Sequence, residues 1–349
     1  MPCAESTGRG LHCGPRKVNP SAAIYGCAGT TLSAAERDFF ADANPFGFIF
    51  FARNVDTPEQ VAGLCDQLRS SSGRNAPILI DQEGGRVQRL RAPHWREFPP
   101  AMRDAAHPEA DTILKLRYHL IAHELSTLGI DVNCAPLLDV PVEGAHDVIG
   151  ERALARDAKA VARLGHAVRA GLAAGGILPV IKHIPGHGRS KVDTHHDLDR
   201  VTDARTVLEL DFAPFREHAD ALLGMTAHLV YEAIDQTNCG TMSAAVIDLI
   251  RRDIGFDGLL MTDDISMGAL SGTVAERASK ALTAGCDIVL HCNGDLEEMT
   301  AIAAEAGALS GASAERAKAV DAAPRTRADV DIAEIEHQYK SLTMERADA

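Results

Sequence analysis

The chain reads as an α/β protein, a single TIM-type (β/α)8 barrel, and three observations predict it. First, from about residue 22 onward, eight short apolar runs rich in β-branched residues alternate with helix-length amphipathic stretches. Second, apolar residues make up 46% of the 349 positions and aromatics only 4%, so the core is built from Ala, Leu, Ile and Val, as suits parallel strands covered by helices. Third, polar residues gather at the downstream ends of the apolar runs: Arg53 and Asn54, then Asp81, Gln82 and Glu83, Asp139, Lys182 and His183, His228, Asp263 and Asp264, and His291 and Asn293. In a barrel those ends converge on one pocket, so a single site assembled from many segments is expected. A doubly wound sheet is the competing architecture, but neither a G-x-G-x-x-G after a strand nor a G-x-x-x-x-G-K-[ST] supports it.

Each element follows in turn. Residues 1–20, with Gly8, Gly10, Gly14, Pro15 and Pro20 and few apolar side chains, suggest a loosely held extension before a barrel spanning 21–349. A strand over Ala22–Ala28 leads to a helix over Ser33–Ala43, where Ser33 caps and Glu36 stands three residues on. Gly47–Ala52 is the second strand, and Thr57-Pro-Glu opens a helix running to Ser71. Strands over Pro77–Asp81, Ile130–Val140 and Leu178–Ile184 are separated by helices over Pro108–Leu128 and Asp157–Ala174. The remaining strands are Leu222–Val230, Leu259–Ile265 and Asp287–Cys292, with helices over Ala204–Ala219, Ala244–Ile254, Thr273–Ala284 and Leu296–Leu309. No linker, repeat or low-complexity block divides the chain.

A formal charge of −14 sets the chain against nucleic acid and anionic membrane surfaces, and no basic patch reverses it. No apolar run approaches the roughly 18 residues of a membrane-spanning helix, and the start lacks a signal-peptide pattern. Eight cysteines, Cys3, Cys13, Cys27, Cys65, Cys134, Cys239, Cys286 and Cys292, are scattered without a C-x-x-C pair, which suggests free thiols in a reducing compartment. The expectation is a cytoplasmic monomer.

The segment VIKHIPGHGRSKVDTHHD, Val180 to Asp197, concentrates the chemistry. A metal could take His183, His187, His195 and His196 with Asp193 or Asp197, yet Pro185, Gly186 and Gly188 oppose the helix that would align two imidazoles. Gly186-His187-Gly188 near Lys182, Arg189 and Lys191 could cradle an anion, but no helix start follows directly. The acid/base reading fits the spacing best. Asp193, two residues before His195, can accept from Nδ1–H, orient the ring and raise its pKa so that it donates a proton near neutrality.

Four stretches together resemble the family 3 glycoside hydrolases, and within them the single-domain bacterial β-N-acetylglucosaminidases. They are GFIFFARN at 47–54, DQEGGRVQRL at 81–90, VIKHIPGHG with DTHHDL at 180–198, and LLMTDDISM at 259–267. The resemblance, running from about Ala22 to about Leu342, implies that Asp263 is the nucleophile and His195, paired with Asp193, the acid/base. Asp264 is the rival nucleophile. It further implies sugar contacts from Asp81, Arg89, Arg152, Lys182 and His183, with no metal or organic cofactor. Where the family usually has Phe and Ser, this chain has Ile184 and Ala153, neither of which removes a charged group. The implied substrate is N-acetylglucosaminyl-1,6-anhydro-N-acetylmuramic acid, alone or with its peptide, in cell-wall recycling. A glucose- or xylose-preferring enzyme, a phosphorolytic one, and a sugar-binding protein on the same scaffold are the alternatives. The Gly-Pro turn before Asp193 raises the further expectation that this loop closes over substrate.

Overall fold

A computed structural model describes residues 19–192 and 198–344. Eight parallel strands form a closed barrel: β1 (Ser21–Tyr25), β2 (Pro45–Phe50), β3 (Ile78–Ile80), β4 (Val132–Asn133), β5 (Leu178–Ile184), β6 (Leu223–Thr226), β7 (Leu259–Asp264) and β8 (Ile288–His291). They lie in sequence order around the barrel, and β8 closes on β1 with Ala23 opposite Val289 and Tyr25 opposite His291. The helices are α1 (Ala34–Ala43), α2 (Pro58–Ser72), α3 (Ala101–Ala105), α4 (Ala110–Thr127), α5 (Ala158–Ala174), α6 (Arg205–Glu217), α7 (Ala244–Arg252), α8 (Val274–Ala284), α9 (Leu296–Ala306), α10 (Gly311–Ala322) and α11 (Ile332–Met344). The expected α/β barrel and all eight strand positions are present.

Local chemistry explains the element ends. Ser33 caps α1 through a capping box with Glu36, Thr57 caps α2 with Pro58 at its first position, and Asp157 caps α5. Each supplies an acceptor to a backbone N–H that the helix itself leaves unpaired. On the strands the apolar side chains are buried almost completely, as with Ile24, Phe48, Phe50, Ile80, Ile181 and Met261. Burying side chains of this size contributes about 1.5–3 kcal/mol each before entropy is counted.

Three departures from the sequence expectation have physical causes. Only Val132–Asn133 of the expected strand Ile130–Val140 pairs regularly, because Pro136 has no N–H to give a ladder; Leu137 rejoins β5 by a single bridge to Lys182. The expected strand Leu222–Val230 is two pieces, β6 and then Leu229–Tyr231, which leaves the barrel and pairs in parallel with Asp199–Val201. The helix expected to reach Leu309 stops at Ala306, where Gly307 turns to φ 56°. The short helix α3, the helices α10 and α11, and a hairpin of Gln82–Gly84 with Val87–Gln88 were not anticipated.

The residues expected to be a loose extension end in ordered contacts: Asn19 donates to the Leu309 carbonyl at 2.9 Å, and Pro20 accepts from the Leu309 N–H at 2.9 Å. Cys27, Cys65, Cys134, Cys239, Cys286 and Cys292 are free, buried thiols, and Cys3 and Cys13 lie outside the described residues. Among the described residues, no helix is long and apolar enough to cross a membrane.

Candidate active site

The downstream ends of the strands surround a cavity of about 230 Å3 whose wall includes Asp81, Arg89, Arg152, Lys182, His183 and Asp263. All six were expected from the sequence, and they come from four separate segments. Asp193 and His195, the expected acid/base pair, lie outside the described residues, as does His196. Arg53 and Asn54, also at a strand end, turn instead to the backbone of Cys27, with Arg53 reaching Cys292 as well. They tie the rim of β1 to its neighbours.

The segment after β3 carries the densest charge. Lys182 Nζ sits 2.9 Å from Asp81 Oδ1 and 2.6 Å from Glu83 Oε1, Arg89 Nη2 is 3.2 Å from Asp81 Oδ2, and Arg152 clasps both Glu83 oxygens at 2.9 Å. Three cations and two carboxylates therefore interlock below the surface. Burial would raise both carboxyl groups. The cations outweigh it, holding Asp81 well below the usual carboxylate range through Lys182 and Arg89, and Glu83 at about 2 through Arg152 and Lys182. Burial likewise opposes the charge on Lys182, and Asp81 and Glu83 reverse that and push its pKa up.

This network is placed by neutral hydrogen bonds around it. Gln82 Oε1 accepts from the Arg89 and Leu90 N–H groups at 2.8 and 3.0 Å, and Asn133 on β4 exchanges two bonds of 3.0 Å with the Gln82 backbone. Beneath them Arg117 of α4, fully buried, donates to Asp104 Oδ2 at 2.9 Å, to the Glu83 carbonyl at 2.5 Å and to the Pro99 carbonyl at 2.8 Å. Gly84 is at φ 100°, and a Cβ there would stand 2.0 Å from Arg117 Nη2. Only glycine lets the hairpin close on that guanidinium.

Lys182 and His183 are consecutive, joined by a cis peptide bond, and both side chains reach the cavity. Asp139, fully buried, accepts from His183 Nδ1 at 2.7 Å, leaving His183 Nε2 4.0 Å from Asp263 Oδ2. His187 also lines the cavity. Burial, reinforced by His183, lowers its pKa to about 4, so its ring is uncharged near neutrality.

Asp263 and Asp264 end β7 in different environments. Asp264 accepts from the Ser266 hydroxyl at 2.9 and 2.8 Å, from the Ser266 N–H at 3.0 Å and from the Cys292 N–H at 3.2 Å. Among the described residues, Asp263 accepts only a local bond from the Asp264 N–H at 2.8 Å, and its side chain retains 22% exposure. Burial would raise its carboxyl, but the fields of His183 and His228, that N–H and Lys182 hold it below the usual range. His228 is fixed by Thr241 at 2.7 Å and donates from Nε2 to the Asp264 carbonyl at 3.0 Å; burial lowers its pKa.

Glu83, Asp139 and His228 contact or flank the pocket side chains, and sequence reasoning gave them no role. The signal was their position at strand ends, where sequence showed them but could not show what they touch. Among the described residues, no group of three or more His, Cys, Asp or Glu side chains could hold a metal ion.

A closed parallel barrel that gathers carboxylates, cations and imidazoles round a cavity at the downstream ends of its strands has the arrangement of a barrel enzyme's active site. Residues 25–324 match the Glycosyl hydrolase family 3 N terminal domain, and the chain belongs to glycoside hydrolase family 3. It is 37% identical over 278 residues to a beta-hexosaminidase of Nitrosomonas eutropha (76% of this chain, 79% of that protein), and 39% identical over 278 residues to one of Chromobacterium violaceum (76% and 77%). Its fold is similar to NagZ of Neisseria gonorrhoeae, solved with N-trifluoroacetyl-D-glucosamine, with a TM-score of 0.81, 28% identity, and 95% and 98% of the two chains covered.

Proposed function

We propose that the chain is an exo-acting, retaining β-N-acetylhexosaminidase that removes terminal, non-reducing N-acetylglucosamine. The observation that carries this reading is the contrast between the two carboxylates at the end of β7. Asp264 is occupied by Ser266 and the Cys292 N–H, whereas Asp263 is ionised, faces the cavity and is free to attack. The preference for an N-acetylhexosamine is supported by the beta-hexosaminidases to which the chain is similar.

In this scheme Asp263 attacks the anomeric carbon while His195, protonated and oriented by Asp193, gives its proton to the departing oxygen. The bond to the leaving group breaks as the Asp263–sugar ester forms. Neutral His195 then takes a proton from water, which attacks the same carbon, and Asp263 leaves with overall retention. The roles of Asp193 and His195 rest on the D-T-H-H motif. Asp81, Arg89, Arg152, Lys182 and His183 hold the sugar hydroxyls, and each bond that strengthens in the transition state is worth roughly 1–3 kcal/mol. The cavity of about 230 Å3 is smaller than an ordinary ligand pocket, which supports one terminal ring rather than the interior of a chain. We assign as physiological substrate N-acetylglucosaminyl-1,6-anhydro-N-acetylmuramic acid, with or without peptide, and cell-wall recycling in the cytoplasm by a monomer as the setting. The scheme calls for no metal or organic cofactor.

The test is release of 4-nitrophenol from its β-N-acetylglucosaminide by the wild type and by Asp263→Ala, with the β-glucoside as control and with phosphate present or absent. Turnover of the N-acetylglucosaminide, lost in the variant, weak on the glucoside and indifferent to phosphate, is expected. Faster turnover of the glucoside would reassign the sugar, acceleration by phosphate would reassign the acceptor, and no turnover would favour a sugar-binding protein.

A further inference from the structure

We propose that Asp139 is a positioning residue that commits His183 to a single tautomer and so decides what His183 Nε2 offers the pocket. The proposal builds on the sugar-holding role given to His183 above, but its core is a statement about protons that holds without substrate.

Asp139 lies on the irregular stretch that follows β4, and its side chain is fully inaccessible. Its carboxylate meets three N–H groups. Oδ2 is 2.7 Å from His183 Nδ1, Oδ1 accepts from the His187 N–H at 2.6 Å, and the His183 N–H is shared between the two oxygens at 3.2 and 3.3 Å. An ionised carboxylate only accepts, so Nδ1 carries the hydrogen. Burial would raise the Asp139 carboxyl, but His183, His187 and the His187 N–H keep it below its usual range, in the accepting form.

When the His183 ring carries a single hydrogen, Nδ1 as donor leaves an Nε2 lone pair turned toward the cavity, 4.0 Å from Asp263 Oδ2. That atom can accept from a sugar hydroxyl and makes no competing bond to the nucleophile. The opposite tautomer would turn an N–H toward Asp263, where it would draw on the carboxylate that has to attack. The other groups facing the ring are His187, with ring centroids 5.4 Å apart, His228, and Lys182 next in the chain.

The isosteric substitution Asp139→Asn makes this testable, because the two backbone donors cannot reverse. They require an oxygen at the Oδ1 position, so the new amide NH2 takes the Oδ2 position against Nδ1. Nδ1 must then accept, and the hydrogen moves to Nε2.

The experiment is 15N NMR of the imidazoles in the full chain at pH ~8.5, above the ordinary imidazole range, with His183 assigned by comparison with His183→Gln. Kinetics on the 4-nitrophenyl β-N-acetylglucosaminide accompany it. In the wild type His183 is expected as the Nδ1–H tautomer. In Asp139→Asn it is expected as Nε2–H, with thermal unfolding still cooperative and kcat/KM lowered roughly 100-fold or more, as a wrong catalytic-site tautomer does elsewhere. An Nε2–H tautomer in the wild type, or an Asp139→Asn enzyme that keeps both the Nδ1–H form and its activity, would overturn the proposal. If the variant fails to fold, the wild-type spectrum alone decides. A wild type with the Nδ1–H tautomer but no turnover would sink the glycosidase reading and support the positioning role of Asp139.

Discussion

Lys182 joins stability and function in one side chain. Its ammonium meets Asp81 and Glu83 at 2.9 and 2.6 Å with almost no solvent access, so removing it leaves Asp81 to Arg89 alone and Glu83 to Arg152 alone. Lys182→Met is expected to lower kcat/KM at least ~100-fold and to destabilise the fold by about 1–3 kcal/mol. Urea unfolding with parallel kinetics checks this, and a variant of unchanged stability would show that Arg89 and Arg152 suffice to hold the two acids. Asp263 has the opposite balance. It is ionised, keeps 22% of its side chain exposed and, among the described residues, meets a basic side chain only at the limit of salt-bridge distance, His183 at 4.0 Å. Asp263→Asn is therefore expected to abolish turnover while its Tm stays at or slightly above the wild-type value. A large drop in Tm would mean that this carboxylate holds the barrel together instead.

Among the elements, the hairpin formed by Gln82–Gly84 and Val87–Gln88 carries Glu83, is flanked by Asp81 and Arg89, and rests on Arg117 of α4. Helix α11 reaches the same region from the far end of the chain: Tyr339 donates to Asp104 Oδ2 at 2.9 Å, and Arg96 bridges Glu124 at 2.7 Å and Glu336 at 2.5 Å. Arg117→Met leaves Asp104 buried without its cation and frees the Glu83 and Pro99 carbonyls, so it should cost about 3–5 kcal/mol and raise KM by loosening the hairpin. Chemical denaturation and KM measured together test it; loss of stability with KM intact would separate the hairpin from the site. The periodicity that revealed the barrel helices was silent on this layer. Helix α10, GASAERAKAVDA, carries scattered alanines without an apolar stripe, and the hairpin strands are two and three residues long, too short for alternation to register.

For the whole molecule, buried histidines set the response to acid. His187 and His218 are held at about 4 by burial, well under an unfolded value near ~6.5. Between those limits the unfolded chain binds more protons than the folded one, so both contribute stability that is complete above ~6.5 and lost as pH falls toward 4. Asp211 works the other way. Burial raises it to about 6, so in the folded state it keeps a proton that the unfolded chain releases from ~3.9 upward, and its contribution fades as pH rises through 6. Two histidines against one aspartate leave a net loss, and Glu83, at about 2, adds a further loss as pH falls below the ordinary glutamate value of ~4.3. Tm is expected to fall steadily from pH ~7 to ~4; a flat or rising profile in calorimetry would contradict it.

By itself the sequence determined the barrel, because the alternation of buried strands and amphipathic helices is a local pattern that each run of residues carries independently. It also placed Asp81, Lys182, His183 and Asp263 where apolar runs break at strand ends, whereas Arg89 and Arg152 were named only through the family resemblance. Only the tertiary structure decided what those side chains face. That Glu83 holds both Lys182 and Arg152, that Asp139 sets the His183 ring, and that Ser266 occupies Asp264 but not Asp263 are contacts made in space. Two of them join residues dozens of positions apart, and the third depends on how the chain turns after β7. A hydrogen bond or an ion pair depends on ångström separations that residue order does not encode locally, whereas burial along a strand depends on little more than the residue itself.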